Sequence, residues 1–363
     1  MVDLDSEAAA GTVQDRALQQ LYTDFDAAGL KPLWTVRDGL MPVAPTPRAV
    51  PHVWLWDRLL PLAARAGDLV PVGRGGERRA IALANPGLPG DPFATATLWA
   101  AVQYLGPREV APAHRHSQNA FRFVLDGEGV WTVVDGDPVA MRRGDLLLTP
   151  GWAWHEHHNT ADTAMVWLDG LDIPLNAQLD AGFFEFGPDQ LTDTSTPAAS
   201  RGERLWAHPG LRPLSAGADT VHSPLPAYRW AHTDAALTAQ LELADEGHPA
   251  LVEPGHAAVR FVNPTTGRDA LATLRLEMHR LAAGTATATR REVGSSVWQV
   301  FSGQATVLLD GREHQVGTGD LFAVPSWCPV SLRSPDGADL FRFSDAPSYQ
   351  ALHLDRHQVG DPA

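Results

Sequence analysis

Short runs in which apolar and polar residues alternate dominate the chain from about residue 94 onward. Thr97-Leu98-Trp99-Ala100-Ala101-Val102-Gln103, Phe121-Arg122-Phe123-Val124-Leu125 and Leu146-Leu147-Leu148 are bounded by Gly, Asp and Pro, the pattern of a small β-barrel or jelly roll. A second block of the same kind begins near Asp269. Ahead of both, Leu18, Leu21, Tyr22 and Phe25 recur at three- and four-residue spacing. That spacing predicts a helix over residues 13–30, covering a barrel edge or a neighbouring subunit. Pro42, Pro45 and Pro47 then break regular structure.

The two β-rich blocks repeat one another. Gly127, Asp135-Gly136, Gly144-Asp145 and Pro150-x-Trp152 correspond to Gly303, Asp310-Gly311, Gly319-Asp320 and Pro325-x-Trp327. The pattern divides the chain into a helical and extended arm (1–93), a first barrel (94–175), a linker with inter-barrel strands and helices (176–268) and a second barrel (269–363).

Composition narrows the function. Of 363 residues, 44% are hydrophobic and 20% charged, a globular balance with enough chain for two cores. A net charge of −15 argues against nucleic acid as a partner, because phosphate neutralisation needs clustered Lys and Arg. The single cysteine, Cys328, excludes an internal disulfide framework. The acidic start Met1-Val2-Asp3-Leu4-Asp5-Ser6-Glu7 lacks an apolar signal core, and no run reaches the roughly 18 apolar residues of a membrane span. The expectation is a soluble cytoplasmic protein.

The candidate chemistry lies in the first barrel. His114-Arg115-His116 on a strand sends both imidazoles to one face and the guanidinium to the other. His155 closes the apolar run after Gly144-Asp145 and Pro150-Gly151, where a hairpin return can carry it beside the first strand. Three neutral nitrogen donors with open positions describe a catalytic metal site rather than a sealed structural one. Donor type alone does not separate iron from zinc.

Gly106, His114-x-His116, Gly127, Gly144-x5-Pro150, His155 and Asn159 resemble the two motifs of a cupin barrel, with Ala120 where cupins usually place a glutamate ligand. Residues 111–159, with Val166-Trp167-Leu168-Asp169-Gly170-Leu171-Asp172-Ile173-Pro174, further resemble the gentisate 1,2-dioxygenase family. So do Pro51-His52-Val53-Trp54, Glu77-Arg78-Arg79, Asn85-Pro86-Gly87-Leu88 and Phe341-Arg342-Phe343-Ser344-Asp345-Ala346-Pro347.

The resemblance implies an all-β bicupin, two jelly-roll barrels behind an N-terminal helical segment, assembled as a homotetramer. It implies Fe(II) on His114, His116 and His155, a small aromatic acid and O2 as substrates, and ring opening of gentisate to maleylpyruvate. Arg122, with the parity that turns it into the barrel, would meet the substrate carboxylate or pair internally with an acid such as Asp169. His157 would exchange a proton beside the metal, unless it is an exposed turn residue. Asp169 would hold Arg122 or His157. Gln103 and Trp99 would line the pocket or simply fill the barrel. Arg74 and Arg78 would complete a carboxylate clamp or stay solvated. In the second copy Val330 stands at the His155 position and Arg290-Arg291-Glu292 near the His-x-His, which predicts a barrel without metal. The rivals are the same chemistry on salicylate or 1-hydroxy-2-naphthoate, a non-catalytic bicupin binding protein, and a zinc hydrolase.

Overall fold

A computed structural model describes residues 4–36, 40–70, 79–188 and 198–362. Two compact units divide at residue 46. The first holds a helix Leu4–Ala27 and a short 3-10 turn Leu33–Thr35. This corrects the helix expected over 13–30 at both ends. At the C-terminal end Gly29 takes a left-handed φ of 66° while the Leu30 amide donates back to Phe25 O at 2.7 Å, a glycine-terminated stop that apolar spacing alone does not reveal. Trp34 packs edge-on against Phe25 and donates to Tyr22 Oη at 3.3 Å.

The second unit contains both barrels, and all its strand pairs are antiparallel. In the first barrel two sheets face each other. One runs in the order Ala227–Tyr228, Leu146–Thr149, Ala120–Asp126, Met165–Leu171, Trp99–Leu105, Ala80–Ala82. The other runs Phe184–Phe186, Val110–His116, His155–Asn159, Glu128–Val134, Asp137–Arg142. Gly127, with φ 94°, ends one sheet's strand and lets the chain cross to the other. The second barrel uses a single 14-residue strand, Ser296–Leu309, for the same crossing, so its strands join into one curled 11-stranded sheet. The repeat is exact in backbone conformation at the turns: Asp135-Gly136 and Asp310-Gly311 both take left-handed φ, as do Trp152 and Trp327.

The barrels exchange segments. Strand His52–Trp54 pairs with Leu321–Val324 of the second barrel, whereas Ala227–Tyr228 pairs with Leu146 and Leu147 of the first. Each exchanged strand leads into a helix whose first amide is caught by the Asp of a Gly-Asp turn. Trp56 N donates to Asp320 at 2.8 Å and Trp230 N to Asp145 at 3.0 Å. The paired glycines are required by contact as well as by φ, since a Cβ on Gly144 would meet Trp230 at 2.8 Å and one on Gly319 would meet Trp56 at 2.2 Å. Between the barrels Phe121 and Phe123 pack on Phe341, Phe343 and Phe301, with Phe123 and Phe341 stacked at 4.2 Å. Two buried carboxylates tie the joint reciprocally: Asp172 of the first barrel accepts from Thr273, and Asp345 of the second accepts from Thr97.

Candidate metal centre and its cavity

Strand alternation brings the histidines together. His114 lies directly opposite His155 in the register of their two strands, and His116 follows on the same face. The return is a jelly-roll crossing rather than the simple hairpin expected, because four strands intervene between Val110–His116 and His155–Asn159. The ring centroids are 4.2 Å (His114–His155), 4.9 Å (His116–His155) and 5.8 Å (His114–His116) apart. One nitrogen from each ring falls within 4.8 Å of the others.

The second nitrogen of every ring is engaged by backbone. Nδ1 of His114, His116 and His155 lies 2.9, 2.9 and 3.0 Å from the carbonyls of Pro112, Gln118 and Ala153. A carbonyl can only accept, so each Nδ1 carries the proton and each Nε2 keeps its lone pair. His155 Nε2 is fully buried without a hydrogen-bond partner, a lone pair that a bound metal satisfies. Burial, then the neighbouring His114, Arg122, His116 and His157, holds its pKa well below the ordinary value, keeping the ring in the neutral, ligating form. These residues fit a metal ion. Ala120, which lines the same cavity, adds no carboxylate.

A cavity of about 330 Å³ opens on the triad, and its lining includes Trp99, Gln103, Arg122, His157 and Asp169. All the described residues expected at the site therefore share it; Arg74 and Arg78 lie outside the described residues. Arg122 is 4% exposed. It donates to Thr149 Oγ1, and its Nε stands 3.5 Å from Asp169 Oδ1. Burial works against both charges, pushing Asp169 up to about 6 against the pull of Arg122 and Trp167, and lowering Arg122 against the pull of Asp169. The arginine starts so far above neutrality that it stays charged. Asp169 thus holds Arg122, not His157.

His157 is on the continuing strand and buried, not an exposed turn residue. Its ring packs against Trp167 at 5.5 Å, and its Nδ1 has no hydrogen-bond partner. Burial first, then Arg122, His114 and His158, keeps it neutral.

Sequence reasoning missed Gln118, Ile173 and Phe184, which also line the cavity. Phe184 stacks on His114 at 5.6 Å from a three-residue strand within the segment read as linker. The aromatic alternation Phe184-Glu185-Phe186 was the available signal. Outside the barrel, Arg115 fixes that strand: it binds Glu185 at 2.6 and 2.8 Å and is sandwiched between Trp152 and Trp154.

A bicupin with an all-histidine triad beside a buried guanidinium is the class of protein that this fold and site define. Residues 101–171 match the Cupin domain family. The chain is 65% identical to a gentisate 1,2-dioxygenase of Streptomyces sp, over 99% of each chain. It is also similar to the crystal structure of a salicylate 1,2-dioxygenase from Pseudaminobacter salicylatoxidans, with TM-score 0.92 and 62% identity, covering 94% of this chain and 97% of that one. The adducts of that enzyme with gentisate superpose at TM-score 0.93, covering 94% of each chain. The chain belongs to the gentisate 1,2-dioxygenase family.

Proposed function

We propose that this enzyme is an iron(II)-dependent gentisate 1,2-dioxygenase, which adds O2 to gentisate and opens the ring to maleylpyruvate. The observation that carries the reading is the shared cavity: three lone-pair nitrogens and a buried, charged Arg122 face one space of about 330 Å³. Iron bound there would supply the redox partner for dioxygen and a Lewis acid for the phenol. The chain's own residues do the rest. Arg122 offers its remaining N–H donors to the substrate carboxylate, with Asp169 fixing the plane of the fork. Trp99 and Phe184 press on the ring and exclude water. His157, neutral and lining the cavity, would hold a proton from a substrate hydroxyl.

A second reading, salicylate as the preferred acid, is favoured by the salicylate dioxygenase at 62% identity. Gentisate is the better fit to the chemistry, because its 5-hydroxyl enriches the ring that must give up electrons. The test is anaerobic iron loading followed by oxygen-electrode assays of gentisate, salicylate and 1-hydroxy-2-naphthoate. Gentisate should turn over at least tenfold faster than salicylate; equal rates would move the assignment to the second reading. Metal analysis of protein purified without added metal separates iron from the zinc-hydrolase rival. A homotetramer in the cytoplasm completes the proposal, with its oligomeric state read by light scattering.

A further inference from the structure

The strand Phe184–Phe186 is three residues long and lies at the edge of its sheet, with Val110–His116 as its neighbour. So short an edge strand is marginal on backbone pairing alone, and cross-strand side-chain pairs decide how firmly it sits. The register sets Phe184 opposite His116, Glu185 opposite Arg115 and Phe186 opposite His114. Alternation then gives the strand two faces. Phe184 turns inward, where it lines the cavity and stacks on His114, with Phe186 packed edge-on against it at 4.9 Å. Glu185 turns outward and meets the guanidinium of Arg115.

That outer pair is better supported than an ordinary surface ion pair. Arg115 donates twice to one oxygen of Glu185, and the rings of Trp152 and Trp154 stand 4.4 and 4.5 Å from the guanidinium. Two indoles shield the charge from water, and each attracts it. Arg115 lies between two of the triad histidines in sequence and Trp154 precedes the third, so one outer cluster ties together the segments that carry all three. Trp154 also packs on the exit of the strand, where a Cβ on Gly187 would meet its ring at 2.8 Å. The second barrel builds the same edge otherwise: His357–Pro362 pairs with Ala288–Glu292, Gln358 stands opposite Arg291, and Pro329 precedes Val330. The carboxylate and the second indole therefore accompany the histidine triad and not the fold.

We propose that Arg115 and Glu185 are positioning residues: from outside the barrel they hold Phe184 over the triad and so set the affinity for the aromatic acid. The inference rests on the ring-cleaving reading above and names what keeps the substrate in place. Arg115 and Glu185 are not among the residues that line the cavity; they act through Phe184. Their hold is separate from the hold on the metal, because backbone carbonyls fix Nδ1 of each triad histidine.

The test uses the metal-loaded full-length protein. Glu185→Gln and Arg115→Met should speed amide hydrogen exchange across residues 183–187 at least tenfold, while exchange across 155–159 and the metal content stay as in wild type. Anaerobic calorimetry with gentisate and salicylate should show Kd raised about tenfold, and KM should follow it while kcat moves less than threefold. Phe184→Ala should lose about as much affinity, and Glu185→Gln placed in that background should add nothing, because both changes act through one ring. Additive losses would mark a general structural role and overturn the proposal, as would unchanged exchange or metal lost in step with affinity. Wild type that binds neither acid would sink the ring-cleaving reading and this inference with it, whereas wild type that binds and variants that bind equally well would sink the positioning role alone.

Discussion

At the scale of single residues, the site depends on which atom of each side chain is left over once the backbone has taken its share. Backbone carbonyls hold Nδ1 of all three histidines, so the ligand set is preorganised and the barrel does not need the metal to form. His155→Val, which reproduces the Val330 of the second barrel, should lower metal affinity by at least roughly 100-fold, more than loss of an outer partner costs. Circular dichroism should be unchanged, and metal content measured on the same sample reports the loss. Arg122→Ala removes the substrate's fork and leaves Asp169 buried without its cation. An uncompensated buried charge costs roughly 3–5 kcal/mol, or roughly two to four powers of ten in kcat/KM. Arg122→Lys should rescue little, because an ammonium cannot make the fork; an alanine variant within threefold of wild type would exclude the role. For His157→Phe, kcat should fall roughly 100-fold while KM holds, the pattern of a contact made mainly in the transition state.

At the scale of elements, the barrels are joined by parts that each lends the other. Asp345 illustrates the energetics. Burial pushes it up to about 6 from an ordinary 3.8, against hydrogen bonds from Thr97 and the Ser295 amide. A carboxyl raised in the folded state binds its proton more tightly there, so it favours folding while protonated. That contribution is lost as pH rises through the interval between the two values. At about 1.4 kcal/mol per pH unit the loss is about 3 kcal/mol. Asp345→Asn keeps an acceptor for the Ser295 amide and cannot ionise. Relative to wild type, its urea-unfolding free energy should therefore improve by about 3 kcal/mol between about pH 4 and about pH 7. A difference that stays flat with pH would remove Asp345 as the titrating group. The joint was hard to read in the sequence because its strands are so short. The exchanged strands His52–Trp54 and Ala227–Tyr228 have three and two residues, too few for a period of two to register.

At the scale of the whole molecule, one fold is used twice with opposite consequences. Val330 and Arg290 occupy the register positions of two ligands, so reconstituted protein should hold one tightly bound metal per chain. Mass-spectrometric metal analysis after exhaustive chelator dialysis and reloading would check this, and two metals per chain would contradict it. The His-x-His, the third histidine, the inward arginine and the repeat were all legible in the sequence. Strand alternation and turn glycines are local rules, and they act before any long-range contact forms. Three things were left to the tertiary structure: that Asp169 pairs with Arg122 rather than with His157, that Phe184 reaches back to stack on His114, and that each barrel is completed by a strand from the segment preceding the other. Each of these joins residues far apart in the chain, and such contacts depend on the packing of complete barrels, which no local pattern encodes.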